Sequence, residues 1–291
     1  MKKLLALVVA AMMLLSLTAC GGQNESSVDM ANAKSIADLE GAKIAAQAGT
    51  FHADAMEQIK NVKGSTLPEF ADLLTALKSG TIDGYVAEEP TAIEVCLGDS
   101  TLDYIHLVNN DTGFTATDAD VGIAVGLKTG SALREQINQI LAEISADTRS
   151  QLMNQMVRMS AGEDVGELVL KSEAPATTNG TLKVGMECAY APFNWTDMEK
   201  ATPGAVAISS QGSEGLYANG YDVQIAQYIA NKLGMKLEIY AITWDGLLPA
   251  LQSGTVDAII AGMSPTAERE QEIDFTNVYY SSNLVIIYKK K

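Results

Sequence analysis

The chain has 291 residues, 47% of them hydrophobic and 19% charged, with 24 Gly, 7 Pro and 3 Cys. That composition excludes a disordered chain, a disulfide scaffold and a collagen-like repeat, and the length suits one large or two medium domains. The formal net charge is −16, from 36 Asp and Glu against 20 Lys and Arg. It argues against nucleic acid as a partner, because phosphate binding is driven by Lys and Arg displacing counterions.

Lys2 and Lys3 precede an apolar run from Leu4 to Leu15, followed by Ser16, Leu17, Thr18, Ala19 and Cys20. These are the charged start, apolar centre and small-residue end of an export signal over residues 1–19, too short to span a bilayer. Leu17-Thr18-Ala19-Cys20 resembles the lipobox of bacterial lipoproteins, which implies lipidation at Cys20 and a protein held at a membrane by acyl chains. Gly21 to Ser27 is polar and without apolar period, so residues 20–34 read as a tether, with the fold starting near Ser35. No later segment is long enough to cross a membrane. Cys96 and Cys188 then remain as thiols in an oxidising compartment and either pair or stay free.

From Ser35 onward strands alternate with helices. Ala42 to Gln47 reads as a strand, and Gly49-Thr50 opens a helix through Ile59. Thr66, Pro68 and Glu69 have capping-box spacing, with proline in the first turn of a helix. Phe70 to Ala87 recurs as Trp244 to Ala261, identical at 9 of 18 positions. In both copies leucines mark one helical face, Gly80 or Gly254 sits where a helix wants a left-handed residue, and a short apolar run follows like a buried strand. Shared helix-to-strand grammar explains the leucines and the glycine but not the common Ser-Gly-Thr-x-Asp, so the repeat points to two related α/β lobes.

Glu88-Glu89-Pro90 follows the first copy. Ala132 to Ile144 and Asp222 to Leu233 read as further helices, and Glu173 to Gly180 as a linker. Leu182 to Glu187 is a strand leading to Tyr190-Ala191-Pro192-Phe193. Thr196 to Asn219, rich in Gly and Ser, reads as an exposed loop. Two such lobes carry mainly parallel sheets, which place ligands beyond their strand ends.

At Gly262-Met263-Ser264-Pro265-Thr266-Ala267-Glu268-Arg269 a buried strand ends with Ser264 as a candidate N-cap and Pro265 at the first helical position. Free N–H groups there favour an anion, and Arg269 adds a planar grip suited to carboxylate. An arginine or a loop glutamate is more often a solvated surface charge. A ligand with both a carboxylate and an ammonium would nevertheless use Arg269 from one lobe and Glu88 from the other. His52 lines the cleft or lies on the surface. It is far from His106, neither has metal-ligand spacing, and no cofactor is expected.

The segments Gly185 to Phe193, Gly220 to Val223, Trp244 to Leu251, Asp257 to Arg269 and Asp274 to Thr276, with Tyr279 and Tyr280, resemble the first-lobe motifs of the polar amino-acid-binding proteins of ABC importers, bacterial solute-binding protein family 3. Ala42 to Thr50 and Gly80 to Ala92 resemble that family's second lobe. The resemblance implies an α/β, two-lobe periplasmic-binding-protein-like (type II) fold with the ligand cleft between lobes. It also implies that Arg269, with Ser264 and Gly262 backbone and Thr50, receives an α-carboxylate, and that Glu88 receives the α-ammonium. Tyr190 and Trp244 would sandwich the side chain, and Glu187 would meet its polar end.

The segment order departs from the family's and looks circularly permuted. Residues 35–119 plus 282–291 would make the ammonium-side lobe, and 120–165 plus 181–281 the carboxylate-side lobe, with 166–180 as linker. Leu284 to Tyr288 would then join the lobe begun by Ala42, and Val121 to Leu127 would carry the chain back to the lobe of Trp244. The expected function is an exported, lipid-anchored binding protein that closes over a free polar or cationic amino acid and presents it to ABC permease subunits. A dehydratase-like enzyme on the same fold would use Glu187 as general acid. A sensor lobe would need a transmembrane segment and a signalling domain.

Overall fold

The fold was analysed in a computed structural model, which describes residues 28–175, 179–198, 200 and 202–291. The expected export signal and Cys20 lie outside the described residues. The chain opens with β1 (Ile44–Gln47), α1 (Phe51–Met56), β2 (Ser65–Leu67), α2 (Phe70–Ser79), β3 (Gly84–Glu88), α3 (Glu89–Gly98) and β4 (Leu102–Ile105). It continues through α4 (Asp118–Val121), β5 (Gly122–Ile123), β6 (Gly126–Leu127), α5 (Leu133–Ala142) and α6 (Ala146–Ser160). After the segment 161–180 come β7 (Thr181–Met186), β8 (Ala189–Tyr190), β9 (Asn194–Asp197), β10 (Val206–Ala207) and β11 (Tyr217–Asn219). The chain ends with α7 (Tyr221–Lys232), β12 (Lys236–Ala241), α8 (Trp244–Ser253), β13 (Ala258–Ile259), β14 (Asp274–Phe275), β15 (Tyr280–Ser281) and β16 (Leu284–Lys289).

Two five-stranded sheets form the two lobes, in the orders β2-β1-β3-β16-β4 and β12-β7-β13-β6-β14. Each is parallel on one side and carries one strand that runs the other way. β16 lies antiparallel to both β3 and β4, and β6 antiparallel to both β13 and β14. The inserted strand comes from a distant part of the chain in each case, so each sheet is completed by a segment that has crossed from the other lobe. The two crossings touch, with β15 pairing antiparallel to β5 through Tyr280 opposite Ile123 and Ser281 opposite Gly122.

The repeated Ser-Gly-Thr-x-Asp has a structural job in both lobes. Gly80 (φ +77°) and Gly254 (φ +84°) end α2 and α8 in the left-handed conformation, which only glycine adopts without steric cost. The following aspartate then clasps the first strand of its own sheet. The Asp83 carboxylate accepts the Lys43 N–H at 2.8 Å, and the Asp257 carboxylate accepts the Lys183 N–H at 2.9 Å. Leu73 and Leu77 of α2, like Leu247 and Leu251 of α8, are at most 1% exposed. Each such side chain contributes roughly 1.5–3 kcal/mol by leaving water.

Several local expectations are corrected. α1 stops at Met56, because the chain tightens into turns in which Gln58 and Ile59 donate to Ala55 and Met56, and this brings Met56 and Ile59 into the same core. Thr66 pairs with β1 inside β2 and caps nothing, and α2 begins after Glu69. The region 196–219 is not a plain loop: β8, β9, β11 and β10 make a four-stranded antiparallel sheet. Val28 and Met30 are buried against Leu39, Ile44 and Ile286, so the ordered fold starts before the expected boundary at Ser35. Within the expected linker, Leu168 and Leu170 pack on the main core and the Glu167 carbonyl accepts from Gln155.

Cys96 and Cys188 are both free thiols, and burial pushes the Cys188 thiol up to about 12. Among the described residues no helix is long and apolar enough to cross a membrane.

Candidate functional site

The cleft is lined at the strand ends where open α/β sheets present ligands. From the first lobe, β1 delivers Gln47, 1% exposed, the turn after it carries Gly49 (φ +69°) and Thr50, and the first turn of α1 carries His52. β3 ends on Glu88, 6% exposed. From the second lobe, β7 leads to Glu187 and, through Cys188 at φ +57°, to Tyr190 on β8. The chain after β13 supplies Gly262, Ser264 and Arg269, and α8 supplies Trp244 at its first turn.

All eight residues expected to meet a ligand, Thr50, Glu88, Glu187, Tyr190, Trp244, Gly262, Ser264 and Arg269, line one cavity of about 20 Å³ between the lobes. The cleft is closed. Gln47 Nε2 donates to Glu187 Oε1 at 3.0 Å across it, Thr91 Oγ1 donates to the Ala191 carbonyl at 3.1 Å, and the Tyr190 hydroxyl donates to Glu88 Oε2. Glu88 Oε1 faces His52 Nε2 at 3.0 Å. Outside this cavity, and sharing Thr50, Trp244 and Arg269 with it, is an open vestibule of about 560 Å³.

Arg269 bridges the walls. Its Nη1 donates to the Ser264 carbonyl at 2.9 Å and its Nη2 to the Gly49 carbonyl at 2.8 Å, while its guanidinium lies 5.0 Å from the centre of the Trp244 ring. Trp244 Nε1 donates to the same Gly49 oxygen at 3.2 Å. Both guanidinium contacts are with neutral carbonyls, and burial lowers the Arg269 pKa from its ordinary value. A half-buried guanidinium held by carbonyls can still pair with an anion, since charge-assisted bonds are roughly twice as strong as neutral ones.

The local structure at Arg269 differs from the expected helix. Residues 264–268 form an irregular turn, and Arg269–Gln271 is a single 3₁₀ turn. Glu268 and Glu272 would repel at helical spacing, and β14 must start by Asp274 to seat Phe275 in the core. Ser264 therefore acts through its carbonyl on Arg269, not as a helix cap. Gly262 (φ +63°) lies beside the Asp222 carboxylate, where its backbone favours the ionised form.

Asp222, fully buried, braces the second wall. It accepts the Tyr279 hydroxyl at 2.7 Å and Asn194 Nδ2 at 2.9 Å, and Asn194 in turn accepts the Cys188 N–H at 2.8 Å. Burial raises Asp222 to about 7 despite these donors. Glu187 is also raised to about 7, mainly by burial, with the Gln47 bond acting the other way. Its Oε2 has no partner.

Tyr190 and Trp244 both line this cavity. Tyr190 is also stacked against Phe70, at 4.1 Å and 11°, and Phe193, at 5.1 Å. Gln47 and Phe70 went unassigned in the sequence. A glutamine closing the apolar run Ile44-Ala45-Ala46 was a readable signal for Gln47, because a polar side chain at a buried strand's end must find a partner. Among the described residues no group of three His, Cys, Asp or Glu is placed to hold a metal ion.

The family model of the bacterial extracellular solute-binding proteins, family 3, matches residues 182–291. The chain is 41% identical over 71 residues to the arginine-binding extracellular protein ArtP of Bacillus subtilis (strain 168), covering 24% of this chain and 28% of that protein. It is 38% identical over 115 residues to a probable histidine-binding protein of Campylobacter jejuni, covering 39% of this chain and 38% of that one. Among solved structures, the arginine-bound form of domain 1 from TmArgBP is 30% identical, with 38% of this chain and 80% of that chain covered and a TM-score of 0.28. The chain thus spans about a third of the length of the curated relatives it matches. Over residues 182–291 the chain is similar to the bacterial extracellular solute-binding proteins, family 3.

Proposed function

We propose that this protein is a binding protein and not an enzyme, and that it closes its cleft over one free polar or cationic amino acid. One observation carries this reading: a half-buried guanidinium whose hydrogen bonds go to carbonyls, Arg269, and a buried carboxylate, Glu88, line the same interlobe cavity. An α-amino acid carries the complementary pair of charges a few ångströms apart. In this reading Arg269 and Thr50 take the α-carboxylate, with Ser264 holding Arg269 in place, and Glu88 takes the α-ammonium. Tyr190 and Trp244 flank the ligand and Glu187 meets its side chain. Ligand contacts at this level reach a dissociation constant near ~1 μM, which corresponds to about −8 kcal/mol.

The sequence ahead of the fold supports export and anchoring through lipidated Cys20, with delivery to the membrane subunits of an ABC importer. The sheet order, in which β16 lies between β3 and β4, supports a circularly permuted arrangement of the family's segments. A thermal-shift screen of the twenty amino acids with ornithine and citrulline tests the binding reading. A ligand at a hundred times its dissociation constant should stabilise the protein by about 2.7 kcal/mol. A flat screen, confirmed by calorimetry, rejects it.

A further inference from the structure

Two buried polar atoms in the closed cleft have no hydrogen-bond partner, His52 Nδ1 and Glu187 Oε2. They come from opposite lobes and their residues line the same cavity of about 20 Å³. His52 is 6% exposed, so water does not satisfy it freely.

The chemistry of His52 Nδ1 follows from its neighbours. An ionised carboxylate only accepts hydrogen bonds, and Glu88 Oε1 lies 3.0 Å from His52 Nε2. The ring proton of a neutral His52 therefore sits on Nε2, and Nδ1 is a bare acceptor. Glu187 Oε2 is an acceptor as well when its carboxylate is ionised. Two acceptors left open in one cavity call for a ligand group with at least two hydrogens to donate.

Charge balance separates a cation from an uncharged amide. With both carboxylates ionised and His52 neutral, Glu88, Glu187 and Arg269 on the cavity wall sum to one negative charge, and burial without a counter-charge raises Glu187 to about 7, so that it ionises fully only when a cation pairs with it. A zwitterionic backbone adds none and leaves Glu187 without a counter-charge, whereas buried charges persist when paired. A ligand side chain with one positive charge closes the balance. The mouth favours the same sign, since Asp54, Asp120, Asp245, Glu268 and Glu272 all line the outer vestibule and a cleft lined by one sign of charge concentrates the opposite one.

We propose that His52 is a specificity-determining residue of this protein: its Nδ1, with Glu187 Oε2 from the facing wall, forms an acceptor pair that selects amino acids with a cationic side chain. The inference rests on the amino-acid reading of the site and narrows it to one charge class.

The test is competition by charge at constant shape. Affinities of wild-type protein are measured by calorimetry for arginine against citrulline and for lysine against norleucine. At least one cationic ligand should bind about tenfold or more tighter than its uncharged counterpart. His52→Gln places an amide near the Nε2 position, preserving a donor to Glu88 while removing the Nδ1 acceptor, and should cut that preference at least about threefold. Glu187→Gln should bring it close to unity. In ¹⁵N spectra, His52 should show the Nε2–H tautomer, with the Nδ1 signal shifting on addition of the cationic ligand and not of the uncharged one.

Amino acids that bind with no charge preference overturn this inference and leave the proposed function standing. A full preference in folded His52→Gln removes His52 from the selection, and an unmoved Nδ1 signal does so without any variant. If no amino acid binds at all, the proposed function fails and this inference fails with it.

Discussion

Phe70 and Tyr190, from opposite lobes, stack face to face with ring centres 4.1 Å apart and planes 11° from parallel. Phe70 is the first residue of α2 and Tyr190 the last of β8, so the contact exists only while the cleft is shut. Stacked pairs contribute about 0.5–1.5 kcal/mol beyond the area they bury. Phe70→Ala should therefore open the ligand-free protein, seen as a larger radius by solution scattering. Ligand affinity should fall about three- to tenfold, in line with that energy. An unchanged radius would show that the polar bridges alone hold the lobes together.

Arg269→Ala removes the proposed carboxylate grip and two bonds between guanidinium and carbonyls at once. Amino-acid binding should weaken by about 2 kcal/mol or more, and Arg269→Lys should not restore it, because an ammonium lacks the planar fork. Calorimetric titration checks both variants. Affinity retained within about threefold rejects the carboxylate role.

Glu88→Gln should weaken binding of the amino acid by a similar amount, about 2 kcal/mol, and should affect the deaminated α-keto analogue much less. Since Glu88 and Arg269 act from opposite walls of one closing cleft, the double variant should lose less than the sum of the single losses. Additive losses would mean that the two side chains do not share a ligand.

Gly262→Ala tests the backbone. The residue has φ +63°, and a Cβ placed there would lie 3.1 Å from the Tyr190 ring. Forcing an L-residue into this conformation costs about 1–2 kcal/mol, and the displaced ring would lose its bond to Glu88. Chemical denaturation should show the stability loss and titration a weaker ligand complex. Normal values in both would show that the loop relaxes.

Stability should fall as pH rises. Glu94, Glu187 and Asp222 are each raised to about 7, in every case mainly by burial, while the same carboxyls in an unfolded chain titrate near ~4. Between these values the native state holds more protons than the unfolded state, so the contribution is fully present below about pH 4 and lost above about pH 7. The thermal midpoint of ligand-free protein should drop between about pH 5 and about pH 8, and Glu94→Gln with Glu187→Gln should flatten that slope. A midpoint that climbs over the same range contradicts these shifts.

How much of this was legible in the sequence depended on the range of the interaction involved. The helix and strand of each repeat, and the left-handed turns at Gly80 and Gly254, follow from local pattern. Ser264-Pro265-Thr266 has the local grammar of a helix start but forms an irregular turn, because the nearby start of β14 and the acidic run decide the outcome. Thr66 was misread for a related reason: its partner Ala46 is in another strand, and strand pairing outweighs capping grammar. Short strands such as β8, β10 and β11 carry too few residues to show a period. The charged site residues were readable as residue types able to grip an amino acid, but the pairing of His52 with Glu88 depends on how two separate strand ends meet.

The position of β16 also sets a timetable. Without that strand, β4 has no partner in its sheet and β3 presents an open edge, the kind of surface that pairs with stray strands. β3 ends at Glu88 and β16 begins at Leu284, so nearly the whole second lobe must emerge before the first lobe can close. At synthesis rates of about 5–20 residues per second, the wait is on the order of ten to forty seconds. The sheet of the first lobe is therefore completed only after most of the second lobe's sequence is available, and until β16 is in place the edge of β3 stays open to pairing.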